Sequence, residues 1–156
     1  MYVKFLPKDM IVGGLKYKIG KNIYPNTFDP CKCYSLGGIY FNSFRHMQEN
    51  RSFIRFDPII AFLYLDNDTS VVKVDDMFKS PEIYIFKLMS FNNFFQNMSE
   101  YNQIKFVKNN PYSIEVIDHP SETIQLAAVN VHGEAIKYIK HPSIDVQKEA
   151  VSCATL

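Results

Sequence analysis

The sequence predicts an α+β protein, with a small mixed α/β domain over residues 1–88 and two to three stacked helical-hairpin repeats over 89–156. Three observations lead there. Short alternating apolar stretches separated by Gly, Pro, Asn and Asp fill the first half, which is the pattern of strands and turns. From Met89 onward the apolar spacing turns helical. Finally, His119-Pro120-Ser121 returns as His141-Pro142-Ser143, 22 residues later. At that offset Val107 falls on Val129, Ile114 on Ile136, Ile117 on Ile139, Gln125 on Gln147 and Ala128 on Ala150, as stacked helical units would require.

In order, Tyr2-Val3-Lys4-Phe5-Leu6 alternates and reads as a strand closed by Pro7, and Leu15 to Ile19 reads as a second strand able to pair with it. Asn22 to Tyr34 carries Pro25 and Pro30 and reads as an irregular loop. Ile39-Tyr40-Phe41 follows two glycines as a short buried strand, and Asn42-Ser43 can cap a helix over roughly 44–50. The apolar run Ile59 to Leu65 lies between Asp57-Pro58 and Asp66-Asn67-Asp68, which favours strand over helix. Val71 to Val74 is a further strand, and Ile83 to Phe86 is either the last strand or the start of the helices. In the clearest repeat, Gly133 precedes a helix over 134–139, and Lys140-His141-Pro142 turns the chain. Ser143 then caps a helix over 144–151, because its hydroxyl can accept from a free first-turn N–H and Pro142 blocks continuation from before. Ile136 and Ile139 share a face, and Ile144, Ala150 and Val151 are expected in the core. A last unit without a polar cap is expected to fray or to be covered by another copy or a partner.

Bulk composition narrows the function classes. The 156 residues are 47% hydrophobic and 21% charged, as in folded rather than disordered chains. A net charge of +1 gives no reason to expect nucleic acid or an anionic membrane as partner. No apolar run reaches the ~20 residues of a membrane span, and the N-terminus lacks a signal-peptide core. Three cysteines, of which Cys31 and Cys33 are too close for an ordinary disulfide, predict a reducing, intracellular setting. Abundant Asn, Ile and Lys resemble the product of an AT-rich genome.

The residues His119-Pro120-Ser121 with Gln125 to Val129, and His141-Pro142-Ser143 with Gln147 to Val151, resemble the short HEAT-like and leucine-rich-variant arrays of phage and giant-virus proteins. Gly14 to Ile23, Phe28 to Cys31 and Gly37 to Phe41 are similar to a module that opens many mimivirus-type repeat proteins. The resemblance implies an interaction scaffold located in host cytoplasm or virion. Separately, Gly37-Gly38-Ile39-Tyr40-Phe41-Asn42-Ser43 is similar to the Gly-x-Tyr-Phe-Ala block of ADP-ribosyltransferases. That likeness implies NAD as cofactor, Tyr40 stacking on nicotinamide and Glu82 as the late acid. The early strands carry Lys4, Lys16 and Lys18 where that family uses His or Arg.

Other motifs carry less chemistry. Cys31-Lys32-Cys33 could start a zinc site, but the four histidines and Cys153 stand at no matching spacing, so no metal is expected. His119 and His141 occupy equivalent turn positions and either form a contact ladder or satisfy turn carbonyls. Arg45, His46, Arg51 and Arg55 cluster after the glycine-bearing strand and could face an anion, unless Glu49 and Asp57 neutralise them. Gly13-Gly14 and Gly37-Gly38 lack the spacing of a phosphate loop. The leading expectation is therefore a non-enzymatic, viral-type interaction or assembly module without cofactor. It would bind protein or itself through the helical repeats and their junction with the first domain. Gly38, Tyr40, Arg45, His119 and His141 are its candidate contact residues. The alternative is a nucleotide-binding or ADP-ribosyltransferase-like domain centred on residues 37–41.

Overall fold

A computed structural model describes residues 1–45 and 58–154, which divide into two compact units, 1–45 with 58–90 and then 91–154. The predicted helix over 44–50 lies almost wholly outside the described residues, as do His46, Glu49, Arg51, Arg55 and Asp57.

The first unit is built on a seven-stranded sheet in which every neighbouring pair runs antiparallel. Its strands are β1 (Tyr2–Leu6), β4 (Gly20–Ile23), β5 (Ile39–Ser43), β6 (Ile59–Tyr64), β7 (Val72–Val74), β8 (Met77–Ser80) and β9 (Glu82–Ser90), in the order β4-β9-β6-β1-β5-β8-β7. A separate small hairpin pairs β2 (Ile11–Val12) with β3 (Leu15–Lys16). The stretch from Leu15 therefore does not pair with the first strand, whose neighbours are β5 and β6. Its alternation is broken because Tyr17 leaves the ladder and packs into the core at 3% exposure.

One residue, Pro81, links β8 to β9, although four strand spacings separate them in the sheet. In a flat sheet that is ~19 Å, whereas three consecutive residues span only ~7 Å. The sheet must roll until the end of β8 meets the start of β9. That corner is tied by the Ser80 hydroxyl, which donates to the Glu82 carbonyl, and by Tyr24 N–H, which donates to the Pro81 carbonyl at 2.8 Å. Inside the roll lie Leu6, Ile39, Phe41, Ala61, Leu63, Ile83 and Ile85 with Tyr17. These are alternate residues of each strand, as period-2 geometry demands.

Lys4 shares the inward face of β1 with Leu6 and is only 8% exposed. The β1–β5 ladder ends after two pairs, and the Lys4 ammonium donates to the Tyr40 carbonyl at 2.7 Å. It also lies 5.2 Å from the centre of the Tyr17 ring. Burial lowers the lysine to about 8 and raises the Tyr17 phenol to about 12, since each loses water around its charged form.

The second unit holds α1 (Phe91–Gln96), α2 (Glu100–Asn109), α3 (Glu122–Val129) and α4 (Ile144–Ala154), with 3-10 turns at Pro111–Val116 and Gly133–Tyr138. Phe91, Phe95 and Phe106 pack ring to ring at 5.6–6.1 Å, and Ile114, Ile124, Val129, Ala135 and Val146 complete an apolar interior. Ser121 and Ser143 each accept from the N–H three residues on, at 3.4 and 3.3 Å, so both open their helices as caps. Gln125 and Gln147 each donate to the carbonyl of the preceding proline.

The predicted fold class needs correcting. Among the described residues no helical hairpins form, because the segment preceding each capped helix winds as a single six-residue 3-10 turn. Among its described residues the first unit is likewise built on an antiparallel rolled sheet rather than on a mixed α/β arrangement. The likeness to giant-virus helical arrays falls with the hairpins. Ile144, Ala150 and Val151 are placed in the core by the sequence; Ala150 is buried as expected, but Ile144 and Val151 are 69% and 68% exposed and α4 buries Val146 with Ala150. Val146 and Ala150 lie four apart on one helical face, whereas Ile144 and Val151, seven apart, share a different face, the one turned to solvent. Strand β8 had no sequence forecast, and β9 runs to Ser90, past the start of the expected helices.

Candidate functional site

Two features of the first unit stand out. The outer face of β4, β9 and β6 is the first. Tyr64 and Tyr84 are cross-strand partners whose rings stack at 5.2 Å. The register of β6 against β9 shifts between Phe62 and Leu63, so that Phe86 is the extra residue between the Lys87 and Ile85 pairings. A bulge of this kind turns a side chain out of alternation. Phe86 is accordingly 52% exposed while Ile85 is buried, and its ring lies 6.3 Å from Tyr64 and 6.4 Å from Phe62. On β4, Lys21 and Ile23 face Tyr84 and Glu82, and Ile23 is 56% exposed. Lys21 pairs with Glu82 at 2.9 Å, which raises the lysine above its usual range. Lys87 covers the Phe62 ring at 5.9 Å. The result is an apolar, aromatic patch with a rim carrying both signs of charge.

The loop between β4 and β5 is the second feature. Pro25 and Pro30 deny it ladder hydrogen bonds, so it folds on its own side chains. Gly37 lets it close: a Cβ there would lie 2.2 Å from the Asp29 Cβ, and Asp29 N–H donates to the Gly37 carbonyl at 2.9 Å. Asp29 accepts from the Cys31 N–H at 2.9 Å and from the Ser35 hydroxyl at 2.6 Å. Ser35 in turn accepts from the Lys79 ammonium at 3.0 Å. The carboxyl of Asp29 is held below its usual range by the Ser35 hydroxyl first, then the Cys31 amide, with the Lys79 charge assisting. Lys79 is fully buried, so this relay from ammonium through hydroxyl to carboxylate balances its charge.

Tyr40 belongs to this loop. Its hydroxyl accepts from the Ser35 N–H at 2.9 Å and reaches the Ser35 and Cys33 carbonyls at 2.8 and 3.2 Å. Its ring stacks with Tyr34 at 6.2 Å and lies 5.7 Å from the Lys79 ammonium. A nicotinamide seeking the Tyr40 ring meets a side chain already engaged by the loop. Glu82 is engaged with Lys21.

The remaining expected contact residues are divided between the two units. Gly38 packs against Lys79, where a Cβ would stand 2.6 Å from that side chain, and Arg45 is an exposed residue two positions beyond β5. His119 and His141 belong to the second unit and are exposed. Although equivalent in sequence, they differ in backbone: His119 has φ of 51°, and His141 is not among the residues with positive φ.

Cys31 and Cys33, expected to be free thiols, are bridged, with Cα atoms 5.3 Å apart. Ligand atoms of Asp29, Cys31 and Cys33 lie within 4.8 Å of one another, so the group beside the two cysteines is Asp29 and not one of the histidines or Cys153. Asp29, Ser35 and Lys79 were missed. An Asp followed two residues later by an N–H it can accept from is an Asx turn, and that was the one local signal available for Asp29. Nothing local marks Lys79, whose burial depends on a loop that closes 44 residues away from it.

Among the described residues no helix is long and apolar enough to cross a membrane. Compared with known proteins, the chain matches no family model, no curated protein and no solved structure, so the viral-type resemblance has no support from relatives.

Proposed function

We propose that this protein is a non-enzymatic interaction module that binds a protein partner through the aromatic face of β4, β9 and β6. The observation that carries the reading is the contiguous exposure of Tyr64, Phe86 and Ile23, at 46%, 52% and 56%, around the half-buried Tyr84. Scattered apolar side chains are ordinary on a surface, but stacked aromatics from neighbouring strands with a charged rim have the make-up of a binding hot spot. The Lys21–Glu82 pair leaves the rim close to neutral, which suits a protein surface better than a phosphate backbone.

The test is a double variant, Tyr64→Ser with Phe86→Ser, compared with wild type as bait in quantitative affinity capture and by light scattering. Both side chains are about half exposed, so folding should persist and be visible in unchanged circular dichroism. The reading expects wild type to self-associate or to retain a partner that the double variant binds at least ~10-fold more weakly. Identical partners and identical mass for the two proteins would refute it.

A further inference from the structure

We propose that Cys31 and Cys33 form an accessible thiol–disulfide couple that exchanges with low-molecular-weight thiols. The sequence separation of 2 makes the loop they close nearly the smallest possible. A disulfide stabilises a fold mainly by restricting the unfolded chain, and that contribution falls as the loop shortens, so this bridge is a poor staple. The loop already has its own ties, Asp29 to Gly37, Cys31 and Ser35, and Tyr40 to Ser35. Both cysteines are exposed, so an attacking thiolate can reach the bridge.

The ground beneath the bridge is fixed. The Lys79 ammonium, itself fully buried, lies 3.5 Å from the Cys33 carbonyl oxygen, and the same oxygen accepts from the Tyr40 hydroxyl at 3.2 Å. The Asp29 carboxylate, held by the Ser35 hydroxyl and the Cys31 amide, lies within 4.8 Å of both sulfurs, so the ammonium and the carboxylate offset one another and the exchange rests on the short loop and on access.

In the exchange, an external thiolate attacks one of the two sulfurs and the S–S bond breaks. The electron pair leaves on the other cysteine, which takes a proton from water. A second external thiolate then attacks the outer sulfur of the mixed disulfide and expels the remaining cysteine thiolate. Two monothiols supply two electrons, and the products are the protein dithiol and one external disulfide.

Alkylation of the native protein with N-ethylmaleimide, counted by mass spectrometry, reads the couple. Cys153 is a free thiol and supplies the baseline label. Protein equilibrated with oxidised glutathione should carry one adduct, maleimide or glutathione, at Cys153 and none at Cys31 or Cys33. After millimolar reduced glutathione without denaturant it should take three, the two new ones mapping together to Cys31 and Cys33. Three labels after oxidation, or a bridge that opens only in denaturant, would overturn the proposal. A Cys31→Ser, Cys33→Ser variant should melt within ~3 °C of wild type; a much larger drop would make the bridge a structural staple and overturn it equally.

Discussion

Lys4 is the most informative single position, because its burial turns pH into a gauge of the fold. Its ammonium is lowered by burial from the usual 10.5 to about 8. Below pH 8 the folded and unfolded chains both hold the proton, and the group makes no slope. Between 8 and 10.5 the unfolded chain keeps a proton that the folded chain has released, so stability rises with pH; above 10.5 the curve is flat again. Linkage with those two values makes the rise about 2.5 kcal/mol between pH 7 and pH 10. Lys4→Met keeps the length of the side chain and removes the titration. At pH 7 its effects oppose one another. Relief of a buried charge is worth roughly 3 kcal/mol, while the Tyr40 carbonyl loses a charged donor worth about 1.5–3 kcal/mol. The net change there should be small. Urea unfolding of both proteins at pH 7, 8, 9 and 10 isolates the group, because other titrations cancel in the difference. The series stops at pH 10, since Tyr17, raised to about 12, makes stability fall above that point. The stability of wild type minus that of the variant should grow by about 2.5 kcal/mol across the series. Parallel pH profiles would show that Lys4 is solvated in the folded protein, and the account of the inward face of β1 would fail.

Two further outcomes follow from the packing. Gly37→Ala forces its Cβ to within 2.2 Å of the Asp29 Cβ, so the loop must open and lose the Asp29–Gly37 hydrogen bond. A cost of about 1–3 kcal/mol in urea unfolding is expected, together with greater exposure of Tyr34 and Tyr40 in the tyrosine absorbance; an unchanged midpoint would contradict the closed loop. The two helix caps should differ. Ser121→Ala removes one long cap bond, for about 1 kcal/mol, whereas Ser143→Ala also removes a bond donated to the Glu122 carboxylate, and equal losses for the two variants would contradict that added contact.

The features legible in the sequence are local. The alternation of Tyr2–Leu6, the apolar run at Ile59–Tyr64 and the glycines before Ile39 marked β1, β6 and β5, because side-chain period and turn chemistry act over a few residues. Ser143 marked a helix start for the same reason. The tertiary structure decided what depends on distant partners. Strand order, the roll imposed by the single residue Pro81 and the fate of Leu15–Ile19 all depend on which surfaces meet, and local pattern is silent on that. Ile144 and Val151 showed the same limit: the sequence placed them in the core with Ala150, and only packing chose the face of α4 that carries Val146 and Ala150. The two lysines are the plainest case. Lys4 and Lys79 look like ordinary solvated cations in the sequence, and only the closing of a sheet around one and a loop over the other removed their water.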